Sequence, residues 1–341
     1  IMRPVRRSRI ILGVVGRHRR SSARPFLRFD GPLQLDGDMP TVALLTSQYA
    51  LTSAVDADRE LDTIRLELER RGVACRVIDW LDDSADYTGV DLVVIKSPWD
   101  YAARAEQFLA WLARIEALAP VANHPSVVRW NLDKAYLGEL ASHGVRVCPT
   151  AYCRTVSEVR AALAASHERV VIKPNVSAAS ADTGLFESGA PAAVALAAHI
   201  LALDKVVMIQ PAIPSVATIG ERSLIFFDGR FVHAIRKGPL LALGGGLLGE
   251  GEYEEAITTS QAPDDERELA DAALAVVDRI FTERGLVVAI PPLYARVDLA
   301  RYGEDRPLLM ELELFEPSYF LDLAPGAERL LVDAVVARLS A

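Results

Sequence analysis

The stretch Met310–Ser318, MELELFEPS, sets Glu311, Glu313 and Glu316 in an otherwise apolar run. The part ahead of Pro317, PLLMELEL, has the length of a buried strand, where an unpaired carboxylate is costly. Strand side chains alternate, so Glu311 and Glu313 share one face while Met310, Leu312 and Leu314 take the other. Thirteen positions before Glu311, YARVDL places Arg296 and Asp298 on a common face of a second strand. The two strands can pair as a hairpin across ARYGEDRP, which brings Asp298, Glu311 and Glu313 together. Like charges that close raise one another's pKa unless a cation neutralises them. Hard oxygen ligands, few in number, suit Mg²⁺ shared with a phosphate-bearing ligand. The alternative is a surface hairpin whose carboxylates pair with arginines.

A metal that carries phosphates calls for lysines elsewhere. Two stand out: Lys134, opening a helix in NLDK, and Lys173, ending the strand RVVIKP. A single lysine at a strand tip is also what a snorkelling surface residue looks like. The segment that follows, NVSAASADTG, is small enough in its side chains for backbone N–H groups to approach phosphates. It matches no P-loop, and the chain has no GxGxxG. Arg222, Arg236 and Arg296, all on strands, are candidates to stabilise a transferring phosphoryl group, because a guanidinium fork suits that geometry. SPWDY, at the end of an apolar strand, offers Ser97, Trp99, Asp100 and Tyr101 as a pocket, with Asp100 facing a substrate ammonium. Both aromatics would serve equally as core residues. His124, His143 and His233 have no cysteine or histidine partners nearby in sequence and read as structural.

These residues need a scaffold. From Thr41 the pattern alternates short apolar runs (TVALLT, ACRVID, DLVVIK) with two amphipathic helices, VDADRELDTIRLELERRG and RAEQFLAWLARIEAL. That predicts a small βαβαβ layer over about residues 40–122, with right-handed crossovers. Beyond it come a helix stopped by Gly144, a short helix from Ser157, and the strands RVVIKP and KVVMIQP around the helix PAAVALAAHILA. RSLIFF-DG-RFVHAIRK then reads as a hairpin with the Asp-Gly turn that suits strand twist. Leu240–Gly251, with five glycines, reads as a loop covering the nucleotide or substrate. A long helix over Asp264–Arg284, two strands and a C-terminal helix follow. The fold class expected is α/β followed by α+β.

The ordered set of Lys134, Lys173 with its small-residue loop, VVMIQPAI, Asp298, Glu311 and Glu313 resembles the ATP-grasp superfamily, on its glutathione-synthetase-like side. The resemblance runs from about Pro40 to the C-terminus. It implies an N-terminal α/β domain over 39–122 and an ATP-grasp region over 123–341. The latter would divide into a small lid subdomain at about 145–210 and a catalytic subdomain at about 211–341. It implies that Lys134 and Lys173 contact ATP, and that the backbone of Gln210, Pro211, Ala212 and Ile213 reads the adenine edge at a hinge. Asp298, Glu311 and Glu313 would hold two Mg²⁺ ions, although many members of the superfamily have Asn at the place of Glu313. KSPWDY, NHPSVVRWNLDKAYL and ELELFEPSYFL further resemble bacterial ligases of this superfamily that include the cyclo-ligase of cycloserine biosynthesis. The reaction implied activates a carboxylate as an acyl phosphate for attack by nitrogen, as in closing O-ureido-D-serine to D-cycloserine. An intermolecular carboxylate–amine ligase and a non-catalytic ATP-binding regulator are the alternatives.

Composition narrows the rest. The 341 residues are 51% apolar, enough for more than one core. Net charge is −9, and the nine arginines and three aspartates of residues 1–38 leave −15 on the remainder, a poor nucleic-acid binder. The arginine-rich head, ahead of Met39, reads as an extension outside the fold; as an RNA-binding arm it would be the rival. The cysteines, Cys75, Cys148 and Cys153, form no metal motif or disulfide framework, which points to a reducing cytoplasm. No stretch has the length of a membrane span. The expected partner is a small amino-acid-like substrate, and a homodimer is compatible with the sequence.

Overall fold

The computed structural model describes residues 39–54, 57–166, 169–245, 256–286, 291–302 and 306–340. Half of the covering loop expected over Leu240–Gly251, residues 246–251, lies outside them; its described beginning runs along the small sheet, where the Gly244 N–H donates to the Leu185 carbonyl at 2.8 Å.

The first sheet is parallel, with β1 (Thr41–Thr46), β2 (Ala74–Asp79), β3 (Leu92–Ser97) and β4 (Val121–Ala122) in the order β2-β1-β3-β4. Both faces of β1 and β3 are covered, as expected for continuous apolar runs in a parallel sheet. Alternation sorts the faces. Val42, Leu44, Leu92 and Val94 pack on the helix Leu61–Arg70 and, beyond it, on the helix Ala327–Leu339. Ala43, Leu45, Val93 and Ile95 pack on the helix Ala105–Ile115.

The second sheet is antiparallel, β5 (Ala151–Cys153), β6 (Arg169–Pro174), β7 (Gly184–Glu187) and β8 (Val207–Pro211), in the order β5-β8-β6-β7. The helices Val156–Ala165 and Pro191–Ala202 cover one face. The first of these opens on a capping box, Thr155 with Glu158, one residue before the expected start at Ser157.

The third sheet carries Asp298, Glu311 and Glu313. It runs β11-β10-β9-β12-β13, all antiparallel, with β9 (Glu221–Phe227), β10 (Arg230–Lys237), β11 (Ile257–Ser260), β12 (Tyr294–Tyr302) and β13 (Arg306–Glu313). The Asp-Gly turn between β9 and β10 has both residues left-handed, Asp228 at φ 49° and Gly229 at φ 68°. A Cβ on Gly229 would sit 2.3 Å from Pro291, so space and backbone conformation both require glycine there. One face of the sheet, with Leu224, Phe226, Val297 and Leu312, packs on the helix Asp264–Glu283.

Two bulges decide which residues face which way. In β13, Asp298 pairs with Glu311 but Leu299 pairs with Leu309. Met310 is therefore the extra residue, and Leu309, not Met310, joins Leu312 in the core. In β10 the register slips between Phe231 and His233, so that Lys237 opposes Glu221 and Arg236 opposes Arg222.

Candidate active site

The hairpin β12–β13 forms as expected, with Arg296 opposite Glu313 and Asp298 opposite Glu311. All four project from the face turned away from the long helix. Cationic side chains take a share of the neutralisation that the sequence reading gave to a metal. Arg296 donates from Nε to Asp298 Oδ1 at 3.0 Å and pairs through Nη2 with Glu313. Lys237 Nζ lies 2.8 Å from Asp298 Oδ2, and Lys134 Nζ lies 3.1 Å from Glu311 Oε1. Lys134 also donates to the carbonyl and hydroxyl of Ser177, at 2.7 and 3.2 Å, which ties it to the small-residue loop after β6.

The electrostatics are uneven along the strand. Burial pushes Asp298 up, but Arg296 and Lys237 outweigh it and hold the acid below the usual carboxylate range. Glu311 is likewise lowered, against burial, by Lys134 and by Lys173, whose charge reaches it from the small sheet. Glu313 is pushed up to about 7 by burial, against Arg296, with Asp298 and Glu311 adding to the rise. Glu316 is pushed up to about 8, by burial first and Glu313 second, while the Tyr101 hydroxyl bonds to it. From Glu311 in β13 to Glu316 just beyond it, the chain thus runs from firmly ionised to easily protonated acid within six residues.

The strand is an edge, and side chains finish its hydrogen bonding. Asn131 accepts the Leu314 N–H and donates to the Leu312 carbonyl, both at 2.7 Å. The Tyr136 hydroxyl accepts the Leu312 N–H at 2.8 Å and donates to its carbonyl at 2.9 Å. Asn131 ends the helix Pro125–Asn131 and Tyr136 begins the helix Tyr136–Ser142, so the break between them, which holds Lys134, is locked to the acid strand.

Other sequence candidates lie elsewhere. Gln210 is buried and donates to Thr150 Oγ1 at 2.9 Å, and the Ala212 N–H donates to the Arg169 carbonyl at 2.8 Å. Pro211 pairs with Val170, and Ile213 packs with Cys148 and Ala300, so the segment links the small sheet to the large one. Arg222 does not reach the acids: on the opposite face of the sheet, it binds Glu266 of the long helix. Arg236 opposes Arg222 and shares that face. The bulge in β10 is the reason, since a regular hairpin would set Arg236 opposite Glu221 and turn it toward Asp298. Lys237 takes that place instead, and sequence periodicity could not find it without locating the bulge.

In SPWDY, Ser97 is sealed in the core, its hydroxyl 2.8 Å from Thr46 Oγ1. Asp100 accepts the Trp80 indole N–H at 2.7 Å, with Arg104 at 3.7 Å, and is engaged within its own domain and not with the acids. Tyr101 is buried among Phe108 and Phe315, yet its hydroxyl meets Glu316. Trp99 donates to the Glu316 carbonyl at 3.0 Å. Only the two aromatics of the motif therefore touch the end of the acid strand. Sequence reasoning also missed Lys96, fully buried in β3 and paired with Asp58 and Glu60 at 3.0 and 2.9 Å. A lysine inside an all-apolar parallel strand was the available signal.

Among the described residues no three Asp, Glu, His or Cys side chains converge as a ready metal cage. The donor chemistry still fits a hard cation: Asp298 and Glu311 are ladder partners, on the same face, both oxygen ligands held ionised.

Comparisons with known proteins identify the family. Residues 42–123 match the family described as D-cycloserine synthetase DcsG, N-terminal domain. Over 309 residues the chain is 34% identical to the cycloserine biosynthesis protein DcsG of Streptomyces lavendulae, covering 88% of this chain and 99% of that protein. The chain belongs to the DcsG family of ATP-grasp ligases. The crystal structure of D-cycloserine synthetase DcsG superposes with a TM-score of 0.78 at 32% identity, over 88% of this chain and 99% of the other. Two further ligases share the fold. One is the ATP-grasp ligase PsnB complexed with a precursor variant, Mg and ADP (TM-score 0.56, 18% identity, 88% and 98% covered). The other is D-alanine–D-alanine ligase from Bacillus anthracis complexed with ATP (0.60, 14%, 89% and 98%). The protein is thus an ATP-dependent ligase of the ATP-grasp fold. No helix among its described residues is long and apolar enough to cross a membrane.

Proposed function

We propose that this ligase closes O-ureido-D-serine to D-cycloserine, with ATP activating the substrate carboxylate. The observation that carries the reading is the end-to-end likeness to DcsG, at 34% identity over 99% of that protein. In the reaction proposed, a carboxylate oxygen attacks the γ-phosphorus and ADP leaves. The ureido nitrogen next to oxygen then attacks the acyl carbon, phosphate leaves, and the carbamoyl group is lost to water. Intramolecular attack requires one small pocket only, and positioning replaces a bimolecular encounter.

The roles proposed follow the charge layout. Lys134 and Lys173 bind ATP phosphates, and the backbone of residues 210–213 lies along the adenine. Asp298, Glu311 and Glu313 hold Mg²⁺, two ions in the fullest reading, which supply charge neutralisation to the phosphates. Arg296 and Lys237, already beside Asp298, stabilise oxygens that gain charge during transfer. Trp99, Tyr101 and Glu316 wall the substrate side.

The test is incubation of the full chain with ATP, MgCl₂ and O-ureido-D-serine, reading ADP and ring product by mass spectrometry. ADP and D-cycloserine in equal amounts, with no added amine, is the expected result. Turnover only on addition of a second amine would replace the reading with an intermolecular ligase. Absence of ADP with every amino acid tried would leave a nucleotide-binding regulator.

A further inference from the structure

Behind the acids lies a second buried ion cluster that the proposed chemistry does not use. Lys96, with no exposed surface, sits between Asp58 and Glu60, and its ammonium lies 4.8 Å from the Tyr319 ring centroid. Asp58 Oδ1 accepts the Glu60 N–H at 2.9 Å, which orients Glu60. Glu60 in turn accepts two backbone N–H groups from the chain beyond the acid strand: Tyr319 to Oε2 at 3.0 Å and Leu321 to Oε1 at 3.1 Å. On the other side His233 Nε2 meets the Tyr319 carbonyl at 2.9 Å. Pinned between these two N–H groups, Phe320 adopts a left-handed conformation, φ 54° and ψ 47°, which is unfavourable for a bulky side chain. Such an outlier persists only where surrounding contacts over-determine it. It points the Phe320 ring at Arg296, whose guanidinium carbon lies 5.8 Å from the ring centroid. Arg296 is the residue that joins Asp298 to Glu313.

We propose that Phe320 is a positioning residue, held left-handed by Glu60 and Lys96 of the N-terminal domain, and that it fixes the guanidinium of Arg296 against the reaction-centre acids. The inference rests on the reading of Asp298, Glu311 and Glu313 as that centre. The N-terminal domain then does more than wall the pocket: it sets the orientation of a cation on the far sheet through one short segment.

Phe320 is only partly buried, so its variants are expected to fold. In Phe320→Ala, kcat should fall about tenfold or more with the KM for ATP within about twofold, because misplacement of a charged group acts on the reacting geometry. Phe320→Tyr keeps a ring over Arg296 and should recover to within about threefold of the parent. Glu60→Gln, which weakens the hold on both N–H groups, should resemble Phe320→Ala. A readout independent of turnover is the Arg296 Nε–H resonance, assigned by its loss in Arg296→Lys. It should be protected in the parent and in Phe320→Tyr, and broadened or shifted in Phe320→Ala. An unchanged resonance in Phe320→Ala overturns the proposal, as does wild-type kcat in that variant. A parent chain without turnover would defeat the functional reading instead, and the resonance would still decide the positioning role.

Discussion

Glu311 and Glu316 lie five residues apart and respond to opposite surroundings. Glu311 is held ionised by Lys134 and Lys173. Glu311→Gln should lower turnover by at least about 100-fold, the scale for losing a group that organises transition-state charge. It should cost about 1 kcal/mol of stability, because Lys134 retains its Ser177 oxygens. Glu313→Asn keeps an oxygen ligand and should be milder, with a raised Mg²⁺ requirement. If both variants keep the parent's rate and metal dependence, the acids are not the centre. Glu316 carries the pH signal. Its pKa rises from 4.5 to about 8 on folding, so its contribution to stability is full below 4.5 and declines as pH rises through about 8. Glu316→Gln should therefore raise Tm more at about pH 8.5 than at about pH 5. Equal gains at both pH values would show that the acid is not held in an anion-hostile place.

At the scale of elements, the acid strand is an edge whose open side is closed by two helix ends. Asn131→Ala would strand the Leu314 N–H, at about 1–3 kcal/mol for a buried group left unpaired, whereas the Leu312 carbonyl keeps the Tyr136 hydroxyl. The expected loss is about 1–3 kcal/mol, read by urea denaturation; a loss under about 0.5 kcal/mol would mean that water replaces the side chain readily. The opposite face of the same sheet makes the complementary case. Arg222 pairs with Glu266, which is almost fully buried and also binds Arg301 at 2.9 Å. Arg222→Met should destabilise by about 1–3 kcal/mol and leave the KM for ATP within about twofold. A selective loss of ATP binding in that variant would return Arg222 to the site. Both outcomes depend on facing, which alternation sets only after register is known.

Across the whole molecule, the parallel sheet and the large antiparallel sheet share one apolar core. Val42, Leu44 and Leu92 of the first meet Ile225 and Phe227 of the second through the helices Leu61–Arg70 and Ala327–Leu339. A buried pair, Arg71 with Asp333, bridges those helices. Asp333→Ala leaves Arg71 enclosed beside Glu67 alone, whose nearest approach is 3.9 Å. It should cost about 3–5 kcal/mol, the range for breaking a buried pair from one side. Loss should appear as one cooperative transition at lower denaturant, since the core is common to both sheets. Two separated transitions would show that the sheets unfold independently. The same shared core gives Lys96 of the first sheet its reach to the segment after β13.

The sequence by itself determined the elements and the pairing of the acids. Alternation in YARVDL and MELEL, read across a short connection, sufficed to bring Asp298, Glu311 and Glu313 together, because a hairpin is local; the exact register, with its bulge at Met310, came from the structure. The Asp-Gly turn and the helices of the first layer were legible for the same reason. What faces the acids was decided by tertiary structure. One extra residue in β10 turned Arg236 away and Lys237 inward, and no local period marks such a bulge. The β9–β12 register that sends Arg222 to Glu266 joins strands far apart in the chain. Lys96, Glu60 and Phe320 come into one line only when the first sheet docks on the third. Local spacing decides which charges share a strand face; only packing decides which of them are neutralised, and by what.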